Sequence, residues 1–188
     1  MARIVVSQFV SADGVMEDPG GSEGWDRGGW AFKYDRGPAG DQFKLDEVMA
    51  SDALLLGRVT YEGFAEAWPS REGEFADKFN GMRKYVVSGS MTSADWSNSV
   101  VVRPDDLVET VAKLRAEPGG DVLVNGSGQL VEALRANDLV DEYRLMVFPT
   151  VLGGGKRAFG GEGEVSSLRL VDSKPAGDCL ILIYEPAR

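Results

Sequence analysis

Apolar and polar positions alternate along this chain in blocks, and the period changes from block to block. Ile4 to Val10 is short, β-rich and bounded by polar residues, which predicts a central strand. Ala53-Leu54-Leu55-Leu56 and Val122-Leu123-Val124 are unbroken apolar runs of strand length, the pattern of strands buried on both faces. Lys84 to Ser88 and Val100 to Val102 predict two further short strands, and Val140 to Phe148 a long one. Leu168 to Val171 and Cys179 to Tyr184 predict a final pair, joined through Lys174-Pro175-Ala176-Gly177.

Between these runs the spacing lengthens. Asp41 to Ala50 carries Phe43, Leu45, Val48 and Met49 near helical spacing and predicts a short amphipathic helix. Thr60 to Ala67 predicts a helix that Trp68-Pro69 ends. Glu72 to Phe79 predicts a short acidic helix, Pro104 to Ala116 a longer one, and Gly128 to Arg135 another. Alternating strands and helices give an α/β fold with a mostly parallel sheet and right-handed crossovers. The last two strands follow one another without a helix, so one edge is antiparallel. No repeat or long linker divides the chain, and residues 1–188 read as one domain. Ser11 to Gly40 is a long Gly- and Asp-rich loop. Its Trp25 and Trp30 argue against plain disorder, and with Trp68 they either pack a small core or wall a ligand pocket.

Two of the buried runs end alike. One breaks at Gly57-Arg58-Val59-Thr60-Tyr61, the other at Asn125-Gly126-Ser127-Gly128-Gln129-Leu130. Each reads as strand, glycine turn and first helical turn, which exposes unpaired N–H groups at the positive end of a helix dipole. Such an end suits a phosphate, and two of them suit a dinucleotide. The glycines allow close backbone approach to a ligand. Arg58 can add a charge-assisted hydrogen bond, and Thr60 can cap its helix or donate to a phosphate. The plain alternative at the second junction is an eased turn with Ser127 as N-cap. The ordinary dinucleotide fingerprint is unmet, because Val131 stands where its third glycine belongs. Gly155-Lys156-Arg157 is no phosphate loop either: Thr150 replaces the earlier glycine, and no Ser or Thr follows the lysine.

Composition narrows the chemistry. A chain of 188 residues can bury a core without staples. The lone Cys179 lies in an apolar run, so it forms no intrachain disulfide and fits a reducing compartment. Histidine is absent, which excludes Ser-His-Asp and Cys-His nucleophiles and His-ligated metals, and no metal site is expected. The net charge of −10 argues against nucleic acid as a partner. It also means that an anionic ligand needs local cations, and Arg58, Lys84, Lys156 and Arg157 are the candidates. No apolar run approaches the roughly 18 residues of a membrane span. The N-terminus turns polar too early for a signal peptide, so the cytoplasm is the expected location.

Several segments, in order, carry a resemblance that covers nearly the whole chain. They are Ser11-Ala12-Asp13-Gly14-Val15, Gly28-Gly29-Trp30, Leu54 to Tyr61, Lys84 to Ser88, Gly126 to Leu130, Leu139 to Leu145, and Pro149 to Phe159. The chain resembles the dihydrofolate reductase-like superfamily. Within it, the chain is similar to stand-alone relatives of the C-terminal reductase domain of the bifunctional riboflavin-biosynthesis deaminase/reductase. The resemblance implies a three-layer αβα domain around a mixed, mostly parallel sheet with an antiparallel edge. It implies bound NADPH. Gly57, Arg58, Thr60 and Tyr61 would hold the pyrophosphate from one side, and Gly126, Ser127, Gly128, Gln129 and Leu130 from the other. Ser88 would lie near the adenosine ribose. Asp13 and Gly14 would sit where nicotinamide and substrate meet, with Trp30 bordering the substrate. Relatives of this kind are often homodimers, so a homodimer is expected.

Three positions depart from the family pattern. Gly89 stands where relatives often carry an arginine that favours NADPH over NADH. NADH is therefore possible, with Arg103 or Lys84 as substitutes for the missing charge. Phe148 replaces a frequent histidine, and Asn125 a frequent His or Ser. The chemistry implied is hydride transfer from reduced nicotinamide to a C=N or C=O carbon of a pterin-like or riboflavin-precursor-like heterocycle or carbonyl. The helix that carries the proton donor in dihydrofolate reductases offers Asp41, Asp46 and Glu47 here. Asp13 is the nearest candidate at the reaction centre, against the plain reading of an acid in a turn with Gly14. Two rival readings are a nicotinamide-nucleotide-binding module without turnover and a purely structural domain.

Overall fold

The computed structural model describes residues 1–160 and 165–187. Its eight strands are β1 (Ile4–Ser11), β2 (Ser51–Gly57), β3 (Arg83–Val87), β4 (Ser99–Val102), β5 (Asp121–Val124), β6 (Glu142–Phe148), β7 (Leu168–Ala176) and β8 (Cys179–Pro186). They form a sheet in the order β4-β3-β2-β5-β1-β6-β8-β7. Strands β1 to β6 pair in parallel, and β8 runs antiparallel to both β6 and β7. The mostly parallel sheet with one antiparallel edge is the architecture that the hydrophobic pattern predicts.

The unbroken apolar strands are central because both their faces are covered. Leu54, Leu55 and Leu56 are wholly buried. The helices α1 (Gly37–Met49), α2 (Arg58–Ala67) and α3 (Glu74–Gly81) set Val48, Tyr61 and Phe79 against Val5, Leu54, Leu56, Val86 and Leu123. On the other face, α4 (Leu107–Ala116) and α5 (Gly128–Ala136) set Val111, Leu114, Leu130, Val131 and Leu134 against Ile4, Val6, Leu55, Val122 and Val124. Successive strand residues point to opposite layers, as strand geometry requires.

Several boundaries differ from the sequence reading by a few residues, and three of the differences have a local reason. Helix α1 begins at Gly37, ahead of the predicted Asp41, because Pro38 fits the first helical turn, where its missing N–H costs nothing. A 3-10 turn, Pro104–Asp106, precedes α4. Strand β7 runs on through Pro175, which an edge strand tolerates because one side of it needs no ladder donors.

The connections place the two glycine junctions together. From β2 the chain moves through α2 and α3 to β3, away from β5. From β5 it moves through α5 to β6, on the other side of β1. Adjacent parallel strands whose connections leave in opposite directions open a crevice at their carboxyl ends. Strand β5, inserted between β2 and β1, makes that crevice.

One buried cation ties down the β3 side. The Lys84 ammonium donates to the carbonyls of Asn80 at 2.6 Å, Met82 at 2.8 Å and Ser97 at 3.0 Å, and lies 4.2 Å from the centre of the Trp96 ring. It closes the C-terminal end of α3 and fixes the loop before β4. Lys84→Met keeps most of the apolar stem but strands three carbonyls. Urea unfolding should show a loss of about 2–4 kcal/mol; an unchanged midpoint would assign those carbonyls to solvent.

Candidate functional site

Leu54 of β2 is in register with Leu123 of β5, so the two strands end side by side. Gly57 N–H then donates to the Gly126 carbonyl at 3.1 Å. A Cβ at Gly57 would fall 2.3 Å from Ser127 Oγ and 3.1 Å from Ser127 N. A Cβ at Gly126, whose φ is +129°, would fall 2.9 Å from Thr60 Oγ1. The glycines that sequence reading reserved for a ligand thus first let the two turns touch each other. Gly57 and Ser127 hold the N-cap positions of α2 and α5, and neither helix start has a side-chain cap hydrogen bond. Two helix N-termini, each with unpaired N–H groups, adjoin at one end of the sheet.

The remaining predicted residues divide into those at the crevice and those turned away from it. Thr60 is in the first turn of α2 rather than at its cap, with its hydroxyl beside Gly126. Gly128 and Gln129 open α5. Leu130 brings only its backbone, because its side chain is core. Ser88 follows β3, whose Val87 is level with Gly57. The Ser88 hydroxyl accepts from Ser90 N at 3.2 Å and Met91 N at 3.0 Å, and Ser88 N donates to the Val102 carbonyl at 3.0 Å. Arg58 is about half exposed and forks onto Glu62 at 2.9 and 3.1 Å.

Two aromatic residues expected at the site, Tyr61 and Trp30, are buried, and so is Phe148. Tyr61 is core, and its hydroxyl accepts from Trp96 N at 2.9 Å on the α3 side. Trp30 is 1% exposed, packs edge-on to Phe148 at 5.4 Å and donates Nε1–H to the Glu17 carbonyl, so it supports the wall without bordering a ligand. Phe148 is enclosed by Phe9, Trp30 and Tyr34. Among the cations, Lys84 starts β3 at the opposite end of the sheet and cannot substitute for an arginine at residue 89. Lys156 pairs with Glu17, and Arg157 donates to the Asp13 carbonyl. Arg103 follows Val102, next to the Ser88 backbone, and stays at the crevice end.

Asp13 is redirected too. Its carboxylate accepts from the Ser11 hydroxyl at 2.6 Å, Gly153 N at 2.9 Å and Leu152 N at 3.1 Å. These donors, the Ser11 hydroxyl foremost, hold its pKa down to about 2 from an ordinary 3.8. A carboxylate so held does not give up protons near neutral pH, and the turn reading of Asp13 fits. It fastens residues 11–17 to residues 150–158, together with Ala12 N to the Thr150 carbonyl, Met16 N to the Lys156 carbonyl and Ala158 N to the Gly14 carbonyl. Gly14, with φ +81°, makes this bend possible.

Sequence reading missed the side chain that this clamp positions. Met16 lies over the second junction: Cβ atoms at Gly128 and Gly126 would be 3.6 Å from its Sδ and 3.9 Å from its Cε. A methionine inside a Gly- and Asp-rich loop has no periodic partner to mark it. The three acids of α1 also sort themselves. Asp41 and Asp46 face outward onto Arg36 and Gln42, while Glu47 is fully buried against the sheet. Two open cavities, of about 560 and 710 Å³, lie elsewhere. One is at the opposite end of the strands, around Ala2 and Gly120, and the other is beside Tyr61 and Trp96.

The clamp has a pH signature. Because the Asp13 pKa is lower in the folded protein, its hold is complete above about pH 4 and fades as pH falls toward 2. Asp13→Asn should speed amide exchange at Leu152 and Gly153 at pH 7. It should also remove the loss of protection, relative to intrinsic exchange, that the parent protein is expected to show at these amides between pH 4 and 2. Identical exchange in both proteins would free the loop from this clamp.

The model of the RibD C-terminal domain family matches residues 2–182. The chain is 28% identical to YyaP of Bacillus subtilis over 177 residues, which is 92% of this chain and 88% of YyaP. A crystal structure from Shewanella sp. PV-4, named for riboflavin biosynthesis, superimposes over all of both chains with a TM-score of 0.74 at 23% identity. Dihydrofolate reductase from Enterococcus faecalis, solved with NADP(H) and RAB-propyl, gives a TM-score of 0.59 at 15% identity, covering 99% of this chain and 97% of that one. The fold is dihydrofolate reductase-like.

Proposed function

Since the chain belongs to the RibD C-terminal domain family, we propose that it is a nicotinamide-dependent reductase. It uses NADPH, with NADH as the possible alternative, to reduce a C=N or C=O group of a pterin-like or riboflavin-precursor-like heterocycle or carbonyl. One observation carries this reading: the uncapped N-termini of α2 and α5 touch at the carboxyl ends of β2 and β5. Two adjoining sets of N–H donors fit the two phosphates of a dinucleotide. The residues present fit that group, because both turns are free of a capping side chain and Thr60 places a hydroxyl between them.

Reduced nicotinamide, when bound, supplies the hydride. The chain's part is to orient the ligands and exclude water. Backbone N–H groups of residues 58–60 and 128–130 would hold the phosphates, with Arg58 and Arg103, which follows β4 beside Ser88, as the cations for the diphosphate and a 2′-phosphate. Met16 covers the turn at residues 126–128 and would keep water from it. In this reading the protein is a cytoplasmic homodimer. Support for the dimer comes from the outer edge of β7, unpaired among the described residues, with Leu170 and Val171, and from neighbouring Leu180, all more than 40% exposed. Sedimentation equilibrium measures it directly.

A second reading has a specific observation in its favour. The clamped Asp13 is unavailable as an acid, which suits a module that binds nicotinamide nucleotide without turnover. NADPH oxidation in the presence of dihydrofolate, a pterin or a ribitylaminopyrimidine separates the two. For the cofactor itself, tryptophan quenching by NADPH gives the dissociation constant. Arg58→Ala should weaken NADPH about tenfold, and Arg103→Ala should weaken NADPH while leaving NADH unchanged. Equal affinities in all three proteins would move the phosphates away from this crevice.

A further inference from the structure

The cavity beside Tyr61 and Trp96 takes no part in holding a dinucleotide. It is open and encloses about 710 Å³ between two walls. Helix α2 forms one wall, and residues 91–97, which lead toward β4, form the other. Tyr61, Ala65, Met91 and Trp96 give it an apolar floor. That floor is fixed before any ligand arrives. Trp96 N donates to the Tyr61 hydroxyl at 2.9 Å, and Trp96 Nε1 donates to Asn80 Oδ1 at 2.9 Å. Asn80 Nδ2 in turn donates to the Trp68 carbonyl at 3.0 Å. The N–H groups of Trp96 are thus spent inside, and its ring offers the cavity carbon surface. A rigid apolar floor with a few polar groups at its rim is the usual form of a small-molecule site.

The charges lining this cavity have one sign. Glu62 stands on the α2 wall and Asp95 on the facing wall, and among the described residues that line it there is no lysine or arginine. Lys84 lies behind the indole, 4.2 Å from the ring centre, with its ammonium given to the carbonyls of Asn80, Met82 and Ser97. Carboxylates on two opposed walls repel an anion and attract a cation. Glu62 also reaches the other way. The Arg58 guanidinium forks onto it at 2.9 and 3.1 Å, and Arg58 opens α2 at the crevice. One carboxylate therefore stands between the crevice and the cavity.

We propose that the cavity is a second ligand site, for an arylalkylammonium whose flat apolar ring lies on Tyr61 and Trp96 and whose ammonium is held by Glu62 and Asp95. Because Glu62 is shared with Arg58, the site is coupled to the crevice. An anion that draws Arg58 away frees Glu62 for the ammonium, and by linkage each ligand favours the other. The Arg58–Glu62 pair is about half exposed and one helical turn long, which limits the coupling to about two- to threefold. The cavity site stands apart from the reductase reading, and only the coupling rests on it.

Tryptamine is the probe, and indole-3-propionate, which carries a carboxylate on the same ring, is its counterpart. Amide chemical shifts of the full chain, followed by NMR through each titration, give both the place and the affinity and show that each variant is folded. Millimolar tryptamine should shift Ala65, Met91 and Ala94, and indole-3-propionate should bind about tenfold more weakly or worse. Asp95→Asn and Glu62→Gln should each weaken tryptamine about threefold. Asp105→Asn removes one charge just before α4, in the opposite layer, and should leave the affinity unchanged. Arg58→Ala should strengthen tryptamine about twofold and lose that effect when Glu62→Gln is also present. Three results overturn the site: no shift at the cavity with millimolar tryptamine, equal binding of the two probes, or an equal loss in Asp95→Asn and Asp105→Asn. An Arg58→Ala protein unchanged toward tryptamine overturns the coupling. If Arg58→Ala strengthens tryptamine and saturating NADPH does not, Arg58 is not at the phosphates; that placement in the reductase reading falls, and the cavity site stands.

Discussion

The backbone of Gly57 lies against that of Gly126, and neither position has room for a side chain. Everything at the crevice depends on that contact. A methyl group on either residue would wedge β2's turn away from β5's. The N-termini of α2 and α5 would then splay. The hydrogen bond from Gly57 N to the Gly126 carbonyl contributes modestly by itself. Its importance is positional, because it sets how closely two helix dipoles converge on the same space.

The two walls above that contact differ in how they are held. On the α5 side, residues 11–17 and 150–158 are laced by backbone hydrogen bonds and by the Asp13 carboxylate, so Met16 is held over the turn. On the α1 side, the wall is a charged interior of Lys44, Glu47, Ser7 and Arg144. Burying ions is costly unless they are paired and hydrogen-bonded. Here one carboxylate oxygen and one amide oxygen lack hydrogen-bond donors. One wall is thus laced by backbone hydrogen bonds and the other built on buried charge.

Much of this was readable from the chain, for local reasons. The strand runs at Ala53-Leu56 and Val122-Val124, the glycine turns and the helices after them are short-range patterns, and all of them form. The antiparallel edge followed from the missing helix between the last two strands. What could not be read was which strands become neighbours. That β5 slots between β2 and β1 is a long-range fact, and it is what brings residues 57 and 126 together. Side-chain direction was equally hidden. Tyr61 and Trp30 stand inside recognisable motifs, but each lies on the buried side of its element. Phe148 departs from the family pattern, yet it too is enclosed by aromatic rings. Asp13 looked like a candidate because it is an acid beside a glycine; only the amides of Leu152 and Gly153, some 140 residues away, reveal its task. Met16 carried no signal, since it belongs to no periodic pattern and its surroundings come from distant parts of the chain.

The central place of β5 also bears on how the molecule comes into being. Strands β1 and β2 are made early, yet they never pair with each other, since a later segment occupies the gap between them. As the ribosome delivers the chain, the first half must wait with two apolar strand edges unmatched until residues 121–124 emerge. The crevice between the two glycine turns therefore assembles late, and a truncated product ending before β5 lacks it altogether.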